Sequence, residues 1–356
     1  MKTSTRRPVT WTASAWSTSI LLALPHWQPV VKLTLSHFMR SKLLFIIDPL
    51  PTFHFETDTT FVIMAEAQRR GHEVWTTTID ELMMAGSRPT APMRRLNITN
   101  PAEFEWQESE ETKRPLDEME LIFMRKDPPF NMDYIMATYI LSLVDEEKTL
   151  IFNKPSGLRE FSEKMGIFLF PELIPETIVA KKKAELRAFQ ETQGTIVLKT
   201  LDGFAGSNIF VLHKDDKNRN VILETMTRGE QRYVMAQRFL PEISQGDRRV
   251  LVLNGEILGV HNRLAAIDDY RSNISAGGRS AAARLSEKEE EICLTIAQRL
   301  RKLGIVFAGI DLIGTFVTEI NVTSPTGLVL INSHEGVHLE AHVLDFFEQA
   351  IAAHTA

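Results

Sequence analysis

The chain has 356 residues, enough for two or three packed units. Hydrophobic residues make up 44% and charged residues 24%, ordinary for a soluble globular protein, and a formal charge of −6 argues against nucleic acid or an anionic membrane as partner. Cys293 is the only cysteine, which excludes an intrachain disulfide and suits a reducing cytoplasm. It lies in a predicted amphipathic helix and reads as a small buried hydrophobe, not a nucleophile.

Residues 1–40 differ from the rest. They hold three of the five tryptophans (Trp11, Trp16, Trp27), cluster Ser and Thr, and contain no acidic residue. The apolar run over 20–24 stops at Pro25, too short to span a membrane, and no small-residue cleavage pattern follows it. The composition resembles a transit peptide; a start placed upstream of Met39 explains it equally well. We read the segment as a disordered or non-native extension, so a chain starting at Met39 is expected to fold and act like the full one.

From Ser41 the pattern becomes regular. Residues 43–47 form an apolar run ending at Asp48-Pro49, as a buried parallel strand would. The spacing of Phe61, Met64, Ala65 and Gln68 predicts a helix over 57–70 stopped by Gly71, and 72–78 predicts a second strand, a right-handed β-α-β start. Residues 86–118 read as an irregular excursion with one strand near 94–98. A strand at 121–124 delivers Arg125 and Lys126 to the crevice where open α/β sheets bind ligands; a plain surface charge cluster is the alternative. A helix over 134–144 and a strand over 150–153 follow, then Lys154. No GxGxxG comes after the first strand, which argues against the usual dinucleotide fold.

A second unit starts after Arg159. Strands at 195–198 and 209–212 flank a glycine-bearing turn whose backbone N–H groups suit phosphates, without Walker spacing. A strand at 233–239 ends at Leu240-Pro241, and Asn254-Gly255 marks a hairpin between 248–253 and 256–261. Segments 203–208 and 266–272 lack apolar periodicity and read as lids, mobile over an empty site and ordered over a filled one. Ser286 and Glu289 make a capping box for a helix stopped by Gly304. Residues 337–353 close the chain as a helix.

Between those helices, residues 307–325 read as two β-rich arms about Gly314. A short loop there puts Asp311 opposite Glu319, with Glu319 and Asn321 on one face and Ile320 and Val322 on the other. Two carboxylates and an amide oxygen suit Mg²⁺; a solvated acidic hairpin is the competing reading. Facing carboxylates repel, so something positive is expected between them. On the metal reading, Glu319→Gln stops activity and leaves the metal-free fold unharmed or slightly firmer; a salt-bridged structural hairpin predicts the reverse. Two distant lysines, a glycine lid, Asp247, three arginines and this hairpin together make a nucleoside triphosphate pocket without a P-loop.

Over residues 42–349 the chain resembles the ATP-grasp superfamily and, within it, the bacterial-type glutathione synthetases. The resemblance is carried by Met-Arg-Lys-Asp-Pro-Pro-Phe at 124–130, Asn-Lys-Pro at 153–155 and Leu-Lys-Thr-Leu-Asp-Gly at 198–203. Met-Ala-Gln at 235–237, Gly-Asp-Arg-Arg-Val at 246–250, Ala-Gly-Gly-Arg at 276–279 and Thr-Glu-Ile-Asn-Val-Thr-Ser-Pro-Thr at 318–326 extend it. It implies an α/β fold with α+β lobes: an open parallel-sheet preATP-grasp domain over 41–158, then a two-lobed ATP-grasp domain over 159–353. The implied reaction joins glycine to γ-glutamylcysteine through an acyl phosphate, with ATP as co-substrate and two Mg²⁺ (or Mn²⁺) ions, in a cytoplasmic homo-oligomer, by family a tetramer. Carried over by position, Lys154, Lys199, Gly203 and Gly206 would hold ATP phosphates, Gln237, Arg238, Phe239 and Leu240 would bracket adenine, and Asp247 would meet the ribose. Asp311, Glu319 and Asn321 would hold the metal. Arg249, Arg263 and Arg279 would face the transferring phosphate, and Arg125, Lys126, Asn273 and Ser324 the peptide.

Three positions depart from the family pattern: Ala205 in the lid, Thr200 where proline is common, and Val329-Leu330 in place of an Arg-Glu pair. The last bears on the peptide site. Another ATP-grasp carboxylate–amine ligase is therefore the alternative, and a non-catalytic ATP-binding module a second one, opposed by the two carboxylates poised for metal.

Overall fold

The computed structural model describes residues 40–203, 208–266 and 270–355, Ser275 by its backbone alone. The expectations for the leader over 1–39, for Gly206, for Ala205 and for the middle of both lids lie outside the described residues.

The chain opens with β1 (Lys42–Ile46), α1 (Thr59–Arg69) and β2 (Glu73–Thr77), with Asp58 capping α1 by accepting from the Phe61 N–H. The excursion after β2 is not irregular. It forms β3 (Met83–Ala85), the thirteen-residue β4 (Arg88–Asn100), β5 (Glu105–Glu108) and β6 (Thr112–Pro115). Thr90, Ala91, Met93, Leu96 and Ile98 are buried along β4, which pairs antiparallel with β2, β3, β5 and β6. The prolines and charges that suggested a loop sit on a strand with partners along its whole length. β7 (Leu121–Met124), α2 (Met132–Leu141) and β8 (Leu150–Phe152) complete this unit, and β2, β1, β7 and β8 run parallel in that order. The tip of β7 therefore carries Arg125 and Lys126 past the carboxyl edge of the sheet.

After α3 (Pro155–Glu160), a small lobe holds β9 (Thr177–Ala180), α4 (Lys183–Gln193), β10 (Ile196–Thr200), β11 (Ile209–Leu212), α5 (Arg219–Thr227) and β12 (Val234–Arg238). Its sheet is antiparallel, in the order β11-β10-β12-β9. A second lobe holds β13 (Asp247–Leu253), β14 (Glu256–Leu264), β15 (Arg279–Ala282), α6 (Glu287–Lys302), β16 (Phe307–Ile313) and β17 (Phe316–Asn321). These strands lie in the order β15-β14-β13-β16-β17. Asn254 and Gly255 take φ of 50° and 91°, the left-handed pair that a tight hairpin between β13 and β14 demands. α7 (Leu328–Glu335) and α8 (Leu339–His354) end the chain. One buried cluster runs from Leu44, Ile122 and Tyr134 through Val250, Ile296 and Ile310 to Ile320, so the second lobe and the N-terminal unit share a core.

Candidate active site

β16 and β17 meet through Gly314 and Thr315, with Ile313 opposite Phe316 and Leu312 opposite Val317. A straight ladder from that turn would set Asp311 against Thr318. Instead Thr318 is the extra residue of a bulge, and Asp311 falls opposite Glu319. The facing pair expected from sequence is present, but the bulge creates it. Ile320 and Val322 are buried behind it, and Asn321 Nδ2 donates to Asp311 Oδ2 at 3.2 Å.

The positive charge expected between the carboxylates comes from the protein. Arg249 donates from Nε and Nη2 to the two Asp311 oxygens at 2.5 and 2.9 Å, and Arg263 Nη2 reaches Asp311 Oδ2 at 2.9 Å. Arg263 also grips both oxygens of Asp247, at 2.7 and 2.6 Å. Burial pushes the Asp311 carboxyl up, but the two arginines overcome it and hold it well below the usual carboxylate range. Glu319 takes its own cation, Lys164 Nζ at 3.0 Å. The pair is thus salt-bridged without metal, which corrects the expectation of two uncompensated carboxylates. Among the described residues no group of three or more His, Cys, Asp or Glu could hold a metal ion. The candidate centre is two carboxylates and one amide, an all-oxygen set that fits a hard cation completing its shell with water and phosphate.

Of the two lysines named from sequence, one is at the site. Lys199, on β10, is buried with Nζ 3.5 Å from the Thr318 carbonyl. Burial and neighbouring Lys164 lower its ammonium pKa, while Glu319, Asp311 and Asp247 push the other way. Lys154 is elsewhere. It caps α3 with its side chain half exposed, 3.7 Å from Glu146. At the hairpin itself stands Lys164, which sequence reasoning did not name: 5% exposed, it donates to Glu319 and to the Gly203 carbonyl. Burial would lower the Lys164 ammonium, and Glu319 raises it above its ordinary value. Next to it, Glu163 accepts from the Val322 and Thr323 N–H groups at 2.9 and 3.0 Å, fixing the strand beyond Asn321. Both residues precede a short 3₁₀ turn with no periodicity or motif to mark them.

A cleft between the two lobes collects most of the remaining candidates. It encloses about 720 Å³ of space, part of it open solvent, and its wall includes Lys199, Gln237, Arg238, Phe239, Leu240, Asp247, Arg263, Asn273, Asp311 and Glu319. The Phe239 and Tyr270 rings meet edge to face at 5.6 Å, and Val197, Val211 and Ile313 add apolar wall. Arg238 is turned aside, bonded to Glu176 and stacked over Phe316 at 5.3 Å. Arg279 is exposed at the start of β15, opposite Leu264 and outside the cleft wall, so the structure does not bring it together with Arg249 and Arg263.

The peptide-side candidates gather around residues 324–327. Arg125 is buried over the Phe123 and Phe307 rings and donates to Thr60 Oγ1 and the Pro325 carbonyl, both at 2.9 Å. Its Nη1 has no partner, and burial lowers the guanidinium pKa to about 10. Arg249 Nη1 donates to the Thr326 carbonyl at 3.2 Å, so this loop is held between the tip of β7 and the acidic hairpin. Ser324 hydrogen-bonds the Asp127 carboxylate, and Lys126 pairs with Asp48 at 3.0 Å.

Two family models match the chain. Residues 41–159 match the N-terminal domain of prokaryotic glutathione synthetase, and 163–336 its ATP-grasp domain. A glutathione synthetase of Yersinia pestis is 43% identical over 286 residues, 80% of this chain and 90% of that protein. One of Synechococcus elongatus is 41% identical over 308 residues, 84% of this chain and 95% of its own length. Among solved structures, D-cycloserine synthetase DcsG superposes with a TM-score of 0.61 at 12% identity, over 87% of this chain and 99% of that one. A RimK-domain ATP-grasp protein from Sphaerobacter thermophilus gives 0.57 at 18% identity, over 86% and 99%.

Proposed function

We infer the work of this site from one premise: the chain belongs to the prokaryotic glutathione synthetase family. It is an ATP-dependent carboxylate–amine ligase, joining glycine to γ-glutamylcysteine to give glutathione, ADP and phosphate. The observation that carries the site reading is the convergence of Lys199, Lys164, Arg249 and Arg263 on one acidic hairpin at the mouth of an interlobe cleft.

A carboxylate is a poor electrophile. The peptide carboxylate attacks the γ-phosphate, the bond to ADP breaks, and the acyl phosphate presents a good leaving group to the glycine amine. Such transfers need positioning and charge neutralisation rather than a protein nucleophile. Lys199 and Lys164 supply point charges for phosphate, with the Gly203 turn above them. Gln237 to Leu240 and the Phe239–Tyr270 corner take the base, and Asp247 the ribose. Arg249 and Arg263 offer planar forks to phosphate and carboxylate oxygens. Asp311, Glu319 and Asn321 would hold divalent metal, two ions on this reading and Mg²⁺ or Mn²⁺ by donor type, which when bound neutralises phosphate charge. Arg125, with its unpartnered buried Nη1, Lys126, Asn273 and Ser324 face the peptide side.

We assign an N-terminal domain to 41–158 and the ATP-grasp domain to 159–353, in line with the matched ranges. A homo-oligomer, by family a tetramer, is supported by Met132, Met136, Tyr139 and Leu143, an exposed apolar stripe along and just past α2. A single buried cysteine fits a reducing cytoplasm, and no helix among the described residues is long and apolar enough to cross a membrane. The reading is tested by ADP release with γ-glutamylcysteine plus glycine. Turnover that needs both substrates is expected. Turnover indifferent to either one would point to another ligase, for which half-buried Val329 and Leu330 are the place to look.

A further inference from the structure

Two forked ion pairs stand across neighbouring strands of the five-stranded sheet. Asp247 and Arg249 are two apart on β13 and so share a face. Arg263 on β14 is in register with Asp247, and Asp311 on β16 is in register with Arg249. Nε and Nη2 of each arginine grip the two oxygens of the carboxylate opposite. The four charges are thereby paired one to one, and no further contact is needed to neutralise them.

A further contact is nevertheless made. Arg263 Nη2, 2.6 Å from Asp247 Oδ2, leans across β13 to Asp311 Oδ2 at 2.9 Å. The same Asp311 oxygen accepts from Arg249 Nη2 at 2.9 Å and from Asn321 Nδ2 at 3.2 Å. A carboxylate oxygen has two lone-pair directions, so three donors leave Oδ2 nothing to offer a cation. Asn321 gives up its bond when its own amide oxygen turns to a metal shared with Asp311. Arg249 and Arg263 still fill both directions. Arg249 is tied down at the Thr326 carbonyl and is not part of the cleft wall. Arg263 lines that wall beside Lys199, Asp247 and Glu319, so it is the donor that a molecule in the cleft can reach.

We propose that Arg263 couples nucleotide arrival to metal capture, keeping Asp311 Oδ2 closed until nucleotide draws the guanidinium away. The inference rests on the site reading above, in which Asp247 meets the ribose and Asp311 holds metal. Ribose hydroxyls donating to Asp247 compete for the oxygens that anchor Arg263. Phosphate oxygens then offer the guanidinium fork negative partners in place of Asp311. Asp311 is left with Arg249 and one free lone-pair direction on Oδ2, which it can turn to a divalent cation arriving with the phosphates. Without nucleotide the same movement would leave a buried guanidinium unpaired, which is costly. Burial works against the charged Arg263, but Asp247 and then Asp311 outweigh it and hold its pKa above the ordinary range. Arg263 therefore moves as a cation. Such coupling is reciprocal, so bound metal also tightens the hold on nucleotide.

The test follows Mn²⁺ by its paramagnetic resonance signal, with no nucleotide present, in the full chain and in Arg263→Gln. The unaltered protein is expected to bind Mn²⁺ weakly. The variant is expected to bind it on the order of ten-fold more tightly, within the usual range of such coupling, even though its ligation is impaired. Adding Asp311→Asn to that variant is expected to remove the gain. Mn²⁺ should also raise the thermal midpoint of Arg263→Gln more than that of the unaltered protein. Arg263→Lys keeps the charge without the fork, is expected to show a smaller gain, and carries the comparison if the glutamine variant does not fold. No gain in affinity, or a gain that survives Asp311→Asn, would overturn the coupling and leave the metal reading standing. Mn²⁺ retained equally in the presence of ADP by the unaltered protein and by Asp311→Asn would overturn the metal reading, and the coupling with it.

Discussion

The five-stranded sheet shares its apolar face with the N-terminal unit, Val250, Ile310 and Ile320 lying in one cluster with Leu44 and Ile122. The four-stranded sheet across the cleft closes one face over a separate small core of Leu186, Ile196, Leu198, Leu223 and Val234, and from its other face only Met235 is fully buried in the shared cluster. Charge divides in the same way. The large sheet carries Asp247, Arg249, Arg263, Asp311 and Glu319 as a bonded network, whereas the small sheet contributes Lys199 and an apolar wall. A network of buried charges needs fixed geometry to be worth its desolvation, and a large shared core supplies it. A lobe that admits and releases nucleotide is better served by a core of its own, which lets it open without disturbing the acidic hairpin.

The hardest blow to that contrast is aimed at the hairpin. Glu319→Gln keeps the shape and removes a carboxylate that pairs with Lys164 and, on the proposed reading, would hold metal. Ligation is expected to fall on the order of 10²-fold or more, the scale of losing metal-borne transition-state stabilisation. Because Glu319 already pairs with a buried lysine, the metal-free fold is also expected to weaken, by roughly 1–3 kcal/mol for the unpaired ammonium left behind. This replaces the expectation of an unharmed or firmer fold. A less stable variant with near-normal turnover would reduce the hairpin to a structural device.

A smaller effect separates the two lysines. Lys164→Met removes a buried charge facing the cleft, and the KM for ATP is expected to rise about ten-fold or more. Lys154→Met, half exposed beside Glu146, is expected to change ATP use less than about two-fold. Steady-state kinetics on the pair decides it, and the opposite ranking would restore the assignment made from the Asn-Lys-Pro motif.

That assignment shows where the sequence was legible and where it was not. Strand and helix periodicity placed β1, α1, β7, β11 and α6 to within about two residues of where they lie, since each presents one apolar face or run to a core. Of β4 only residues 94–98 were read as strand, because its Pro and Arg residues elsewhere read as a loop, while the long-range partners that extend it leave no local trace. The Asp311–Glu319 register was foreseen, yet the bulge at Thr318 that produces it was not. Lys164 reaches the hairpin only through the fold: no spacing rule ties it to Glu319, 155 residues away. Lys154 was named from the resemblance, on its Asn-Lys-Pro motif, and the direction of its side chain is not encoded there.

The smallest expected effect probes the shared core itself. Cys293 lies in α6 within the cluster that backs the five-stranded sheet, fully buried and without a disulfide partner. Burial, with Glu289 and Glu290 adding to it, pushes its thiol from the ordinary 9.0 up to about 12. The thiolate is the reactive form, so raising pH from 7 to 9 brings an unfolded chain's thiol to its titration point and leaves the folded one protonated. Labelling of Cys293 by a thiol reagent should therefore be slow and indifferent to ATP with Mg²⁺, because only opening of the shared core exposes it. Amide exchange in β10 to β12, on the lobe with its own core, should slow when nucleotide is added. Rapid labelling of Cys293 in the native protein, or nucleotide protection at Cys293 equal to that in β10, would mean that both walls of the cleft move together, and the division between a fixed charged sheet and a mobile apolar one would not stand.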